Sequence, residues 1–507
     1  METHNDAVAK ISAQVKRFHE QREPFRIYHG STNSTRPSQR QRDQMIDISN
    51  LNHVLQVNSE GKYALVEPNV PMDALVEATL PHGLVPPVVM EYPGITAGGG
   101  FAGTAGESSS FRHGFFDRIV NWIEMVLANG DIETASTVQN SELLYGAACS
   151  FGTLGITTLL KIELIPAKAY VELTYWPIGS MDTAMEKIKE VTEDPSVDYV
   201  DGVLFARDWG VVCSGRLTDE PAARVQRFSG SSDPWFYLHA KSLTSKSKNP
   251  TVESIPIAEY LFRYDRGAFW VGAYAFRYFV TPFNRITRRI LDYFMHTRVM
   301  YRALHQSGHS KRYIIQDVAV PYPVATEFLE YVDESFGHYP LWLCPIHQRG
   351  KSPQSPQGPL AEKFNPKFPE MLLNFGVWGP GPTDRRTFVE ANRRLEHKIL
   401  ELNGRQWLYA HTYHTEEEFW GMYDRESYDA LRAKYDAEYL PNIYDKVKVD
   451  IDEEEKAIKE SWMIWLLALF WSVWPLSGLY GVYKAIVGGD YLLPHEARWS
   501  HVQKVKG

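Results

Sequence analysis

PGITAGGGFAGTAGESSSFRHGFF, running from Pro93 to Phe116, is the stretch on which the reading of this chain turns. Between Gly94 and Gly106 six residues are glycine and three are alanine, and three serines follow at Ser108 to Ser110. Glycine loses more conformational freedom on folding than any other residue, so such a run implies that something lies close against the main chain. Turned backbone with little side-chain cover offers its N–H groups in a concavity that suits phosphate oxygens. The stretch therefore reads as the cradle of a dinucleotide pyrophosphate. Gly98, Gly100 and Gly103 satisfy G-x-G-x-x-G, but the Rossmann form of that motif follows a strand directly and opens a helix. Here Pro93, Gly94 and Thr96 stand before it, and Gly106 and the serines interrupt any helix after it. A flexible linker is the plainer alternative, but strongly patterned apolar segments flank the stretch on both sides.

Working outward, residues 5–22 have the pattern of a surface helix, and Phe25 to Tyr28 reads as a short strand. It enters a polar turn with Gly30, Ser31, Thr32, Asn33 and Ser34, where small hydroxylated side chains gather. This is a second candidate phosphate or ribityl loop, with an ordinary loop as the alternative. Gln44 to Ile48 and Tyr63 to Glu67 read as strands, Met72 to Leu80 as a helix, and Gly83 to Met90 as a proline-bearing strand. Ile119 to Leu127 runs into Ala128-Asn129-Gly130-Asp131, a hairpin signature. Ser150 to Gly155 is another small-residue turn before a strand from Ile156 to Ile165. Short strands and helices without regular alternation argue for an α+β fold in residues 1–170. A second α+β unit spans 171–405, with a strand from Leu408 to Thr412 in a closing segment, 406–450.

Net charge is −9, which argues against nucleic acid as a partner. Cys149, Cys213 and Cys344 lie far apart, with neither a disulfide framework nor zinc spacing, so a reducing compartment and no metal are expected. The first twenty residues lack the apolar core of a signal peptide. Ser461 to Tyr483 carries no charge and is rich in tryptophan; it is long enough for a bilayer span, and a re-entrant hairpin or in-plane anchor fits slightly better.

Several long motifs carry a resemblance: GTAGESSSFRHGFF (Gly103 to Phe116), SFGTLGI (Ser150 to Ile156), PLWLCP (Pro340 to Pro345), LYAHTYHTEEEFWGMYD (Leu408 to Asp424) and LPNIYDKV (Leu440 to Val447). From about Ala7 to Val447 the chain resembles the Δ24-sterol reductases, the Diminuto/Dwarf type. These belong to the vanillyl-alcohol-oxidase (p-cresol methylhydroxylase, PCMH) class of FAD-binding folds. The resemblance implies a two-subdomain FAD-binding domain and a substrate (cap) domain. It also implies non-covalent FAD and reduction of a sterol's C24–C25 side-chain double bond with NADPH. FAD contacts would fall on Thr104, Ala105, Gly106, Glu107, Ser108, Ser109, Ser110, Phe111, Arg112, His113, Gly114, Phe115 and Phe116, completed by Thr153, Gly155 and Ile156.

An isolated trisubstituted alkene has no carbonyl to accept charge, so the workable order is a proton to C24 and then hydride to C25. The flavin carries the redox chemistry, and the protein supplies placement and the proton. If Leu408 to Thr412 is a strand, Tyr409, His411 and Tyr413 share one face. Tyr409 and His411 are then the first candidates for the acid, with Tyr413 and Glu416 behind them. A sterol or triterpenoid substrate, membrane lipid as a partner and an endoplasmic-reticulum membrane with a cytosolic catalytic domain complete the expectation. The competing readings are a flavin oxidase of the same fold, using O2 on an alcohol or sugar, and a non-catalytic sterol binder.

Overall fold

The computed structural model describes residues 2–29, 44–221, 224–348, 370–460 and 473–487. The expected loop Gly30, Ser31, Thr32, Asn33 and Ser34 lies outside them, as does the apolar run 461–472.

Two antiparallel sheets organise the chain. The first holds β3 (Val54–Asn58), β4 (Tyr63–Val66), β6 (Val120–Leu127), β7 (Ile132–Ser136) and β8 (Gly155–Glu163), in the order β3-β4-β8-β6-β7. The β6–β7 turn is the one expected: Gly130 takes φ +87°, and the Leu127 N–H donates to the Asp131 carbonyl at 2.8 Å. Burial alternates along β4, as a half-buried strand requires. The Glu2–Gln21 helix covers this sheet with a stripe of Val8, Ile11, Val15 and Phe18, whose helical spacing leaves the opposite face to water. At its start His4 bridges Glu67 (2.7 Å) and Glu124 (3.1 Å), so the helix is clamped to β6 and to the end of β4.

The second sheet comprises β10 (Tyr170–Ile178), β11 (Tyr199–Ala206), β12 (Trp209–Thr218), β13 (Thr251–Pro256), β14 (Tyr313–Pro321), β15 (Leu341–His347), β16 (Met371–Pro380) and β17 (Arg405–Gln406). Its order is β13-β10-β12-β11-β15-β16-β14-β17. Central strands β11 and β16 are apolar and buried almost throughout, so both faces of the sheet are covered. Helices Met181–Glu193, Ala325–Ser335 and Arg385–Glu401 close one face over a core of their own. The other face shares a single core with the first sheet, in which Met90 and Phe101 join Trp342, Trp378 and Leu372. A β1–β2 pair (Arg26–Tyr28, Met45–Asp47) and a β5–β9 pair (Leu84–Val85, Ile165–Pro166) complete the sheets.

The structure departs from the sequence expectations in three places. The glycine stretch contains a helix, Ala97–Gly103, capped where Thr96 Oγ1 accepts from the Gly99 N–H. The Gly83 to Met90 strand shrinks to Leu84–Val85, because Pro86 and Pro87 have no N–H to donate. Leu408 to Thr412 is not a strand; after Gln406 the chain turns, so Tyr409, His411 and Tyr413 do not share a face. Among the described residues no helix is long and apolar enough to cross a membrane. Of the expected membrane segment 461–483, the part up to 472 lies outside the described residues; after it, Leu476–Val487 forms a 12-residue helix. That rises about 18 Å against a hydrocarbon core of about 30 Å, and the helix lies along Thr297–Gln306.

Candidate active site

A cavity of about 400 Å³ opens where the two sheets share their core. One wall is the glycine stretch, with Gly94, Thr96, Gly98, Gly99, Gly103 and Gly106 among its residues. These glycines have different reasons. A Cβ on Gly98 would strike Pro68 and one on Gly100 would strike Met90, so those two serve internal packing. A Cβ on Gly99 would meet only its own cap, Thr96 Oγ1, at 3.1 Å, and one on Gly103 only the Phe151 ring at 3.8 Å. Both positions line the cavity, and their bareness leaves room for an occupant. Opposite them, Gly152 and Gly155 take φ +73° and +146°, backbone that L side chains rarely adopt.

The two ends of the cavity differ in chemistry. Arg26, His29 and Lys446 line it beside the Phe151–Gly155 turn, where Lys446 Nζ donates to the Phe151 carbonyl at 2.7 Å. At the other end Glu91, Tyr92, Tyr301, Asp317, Asn374, Trp378 and Tyr409 gather. Asp317, on β14, accepts from the Tyr409 hydroxyl at 2.6 Å and from Asn374 Nδ2 at 3.2 Å. Burial pushes its carboxyl up to about 6, against the lowering effect of those two hydrogen bonds. Burial also raises Tyr409, with the Asp317 charge adding to it. Glu91 is held well above the ordinary carboxylate range by burial first and then by the Glu107 charge.

This site fits FAD. The cationic end suits a diphosphate, and the bare glycine wall admits a flat nucleotide against the backbone. The Asn374 Oδ1 and Trp378 Nε1 atoms, buried on lining residues, have no partner among the described residues and suit the polar edge of a heterocycle.

The sequence-derived residues divide. Ala105, Gly106, Gly155 and Ile156 line the cavity. Thr104, Glu107, Ser108, Ser109, Ser110, Phe111, Arg112, His113, Gly114, Phe115, Phe116 and Thr153 do not. Beyond Gly106 the chain leaves the cavity wall and ties the sheets together. The Ser108 carbonyl accepts from the Val200 N–H at 2.8 Å, and the Glu107 carbonyl from Cys344 Sγ at 3.3 Å. Arg112 reaches Asp198 and the Pro195 carbonyl, Phe115 packs on Trp407, and Thr153 accepts from the Tyr428 hydroxyl. The Glu107 side chain faces a buried polar centre, where Asp201 accepts from Arg263 (2.8 Å), Tyr264 (2.7 Å) and Trp342 (3.2 Å).

Of the four acid candidates, Tyr409 alone lines the cavity. His411 and Tyr413 turn away with the chain after β17. The Tyr413 N–H is held by Glu396, and its ring lies beside Phe388. Glu416 is exposed and ion-paired with Arg425. The sequence reading missed Glu91, Asp317 and Asn374. The signal available was weak: Glu91 sits just before the glycine stretch, and Asp317 follows Gln316 in a strand that is otherwise largely apolar.

Comparison with known proteins agrees with this geometry. Residues 6–136 match the FAD binding domain family. The Homo sapiens Delta(24)-sterol reductase is 29% identical over 457 residues, covering 88% of this chain and 86% of the relative. A rice (Oryza sativa subsp. japonica) cytokinin dehydrogenase 4 is 29% identical over 162 residues, 31% of this chain and 30% of its own. The Arabidopsis thaliana Delta(24)-sterol reductase is 32% identical over 425 residues, covering 77% of this chain and 74% of its own. With an FAD-binding domain whose glycine wall borders a cavity of acidic side chains and aromatic rings, the chain belongs to the Delta(24)-sterol reductase family.

Proposed function

We propose that this protein reduces the C24–C25 double bond in the side chain of a sterol or triterpenoid, with FAD in the cavity and NADPH as the source of electrons. The observation that carries the reading is the pairing, in one cavity, of a bare glycine wall with the carboxyl of Glu91, which its surroundings shift toward the protonated form. FAD, when bound, supplies hydride chemistry; the side chains decide where the alkene lies and where its proton comes from.

The Tyr409 proton is engaged with Asp317, whereas among the described residues the Glu91 side chain accepts only from its own backbone N–H. Glu91 is therefore the proton donor in this reading, and Tyr409 is held in place by Asp317. Protonation at C24 leaves positive charge at C25. The ionised Asp317 and the faces of Trp378, Tyr92 and Tyr301 line the space in which that charge develops. Trp378 and Trp342 stack near-parallel at 6.3 Å, and Phe269 lies edge-on to Trp378 at 4.6 Å, so these rings are fixed in advance. Sterols dissolve in membranes rather than water, which supports placing the reaction at the endoplasmic-reticulum membrane with the catalytic domain toward cytosolic NADPH.

The test is to incubate the purified holoprotein with NADPH and a panel of Δ24-sterols and read products by mass. The expected result is a gain of two hydrogens, with the flavin bleached by NADPH in stopped flow. No bleaching by NADPH, together with rapid reoxidation by O2 after an alcohol substrate, would replace this reading with an oxidase.

A further inference from the structure

The Leu476–Val487 helix is inverted relative to a water-facing helix. Its small residues Ser477, Gly478, Gly481 and Ala485 are the buried ones, with Gly481 against Ala303 and Ser307 and Gly478 against Tyr278 and Phe279. Its large apolar residues point outward: Leu476, Leu479, Tyr483, Ile486 and Val487 are exposed, Leu479 by 52%. Their spacing puts them on one face. Just before it, Trp474 is 57% exposed, while its indole N–H is pinned to the Tyr278 carbonyl at 2.7 Å. That bond joins the helix to a second patch. Val280, Phe283, Ile286 and Ile290 are all exposed, and Ile286 and Ile290 sit one turn apart at 71% each. A surface of this extent is uncommon on a water-facing protein.

Charge indicates what covers it. From 277 to 290 the chain carries Arg277, Arg285, Arg288 and Arg289 and no acidic residue, although the whole protein has net charge −9. Apolar side chains rimmed by arginines, with a tryptophan at the edge, match the headgroup boundary of an anionic bilayer.

We propose that the face formed by 280–290 and 473–487 is a peripheral docking surface for an anionic lipid bilayer, lying in the membrane plane rather than crossing it. The Thr297–Gln306 helix sits under this face and carries Tyr301 to the cavity wall. Docking would thus set the cavity about one helix diameter, roughly 10 Å, from lipid. The consequence for a sterol rests on the function proposed above; the face itself does not.

Flotation of the purified full chain with phosphatidylcholine vesicles, with and without phosphatidylserine, tests the proposal. Binding is expected to be at least tenfold stronger with the anionic lipid and to weaken with salt. The pair Ile286→Glu and Ile290→Glu, and separately Leu479→Glu and Tyr483→Glu, should each reduce the bound fraction several-fold. The milder pair Arg285→Gln and Arg289→Gln should remove the preference for anionic lipid. Undiminished flotation of these variants overturns the proposal, as does a loss of oligomeric mass with flotation unchanged, which would make the face an interface between copies. Turnover of detergent-dispersed sterol, measured in parallel, reports on the reductase reading alone, so the two can fail separately.

Discussion

The Tyr409 hydroxyl donates to Oδ2 of Asp317 at 2.6 Å, tying the turn after β17 to the middle of β14 at the acidic end of the cavity. A phenol proton held by a carboxylate is less available to an alkene, so the proposed reading takes Glu91 as the acid. Glu91→Gln keeps the shape and removes the proton. Its kcat should fall by about 10²- to 10⁴-fold, the usual worth of a positioned acid. Flavin content, read from absorbance, should be unchanged.

Tyr409→Phe separates positioning from proton donation. The phenol's hydrogen bond favours the ionised form of Asp317, so removing it raises that carboxyl further above about 6. The acid limb of the kcat/KM profile should move to higher pH in Tyr409→Phe while the plateau falls by roughly tenfold. A plateau loss as large as that of Glu91→Gln, with the limb unmoved, would make Tyr409 the donor instead.

The same carboxyl costs stability. Its folded-state pKa, about 6, lies above the ordinary value of 3.8, so between those values the folded state holds the proton that the unfolded chain releases. Stability therefore falls as pH rises from about 4 to 6 and stays lower above it, by on the order of 3 kcal/mol. Asp317→Asn keeps an acceptor for Tyr409 without the charge. Its melting temperature should exceed the parent's by several degrees at pH 7.5, and the gap should close near pH 4. Its turnover should be poorer, as expected where activity holds a charge in an unfavourable place.

Much of the fold could be read from the residues because its signals are local. The Asn129-Gly130 hairpin, the stripe of the first helix and the alternation in β4 each follow from a few neighbours. The site was legible chiefly where the backbone itself is the functional group, and otherwise at Tyr409. The glycine wall could be located, but not its downstream limit. The serines after Gly106 look like phosphate ligands, yet the chain there is tied to the second sheet, the Glu107 carbonyl accepting from Cys344 and the Ser108 carbonyl from Val200. That choice is made by strands nearly a hundred and more than two hundred residues away. Glu91 and Asp317 were missed for the same reason: burial against another sheet changes their chemistry, and nothing in their immediate sequence records it.

The glycines give a prediction that separates fold from cofactor. Gly155 sits at φ +146°, and a Cβ there would run into the Val126 carbonyl and Leu127. Gly155→Ala should cost about 3 kcal/mol or more in denaturant titration, since backbone strain and a backbone clash combine. Gly99 borders open cavity, so Gly99→Leu should fold with a nearly unchanged midpoint and purify with much less flavin. Equal loss of stability in the two variants would mean that the wall is bare for packing alone.

His4 offers a test remote from the site. Its ring bridges Glu67 and Glu124, and those hydrogen bonds raise its pKa to about 9 against the burial that lowers it. Both carboxylates are held below their ordinary range, chiefly by the His4 hydrogen bond working against burial. A raised histidine stabilises the fold fully below its ordinary pKa of 6.5, and the contribution is lost as pH rises through about 9. Over that window the parent should lose on the order of 3 kcal/mol, because each pKa unit is worth about 1.4 kcal/mol. The lowered carboxylates describe the same interaction from the other side and add nothing further. His4→Gln should be less stable by a similar amount at pH 6.5, match the parent above pH 9.5, and show a flat urea midpoint between. A parent midpoint that stays level from pH 6.5 to 9.5 would mean that packing of Val8, Ile11 and Val15, rather than the ion pair, holds the first helix on its sheet.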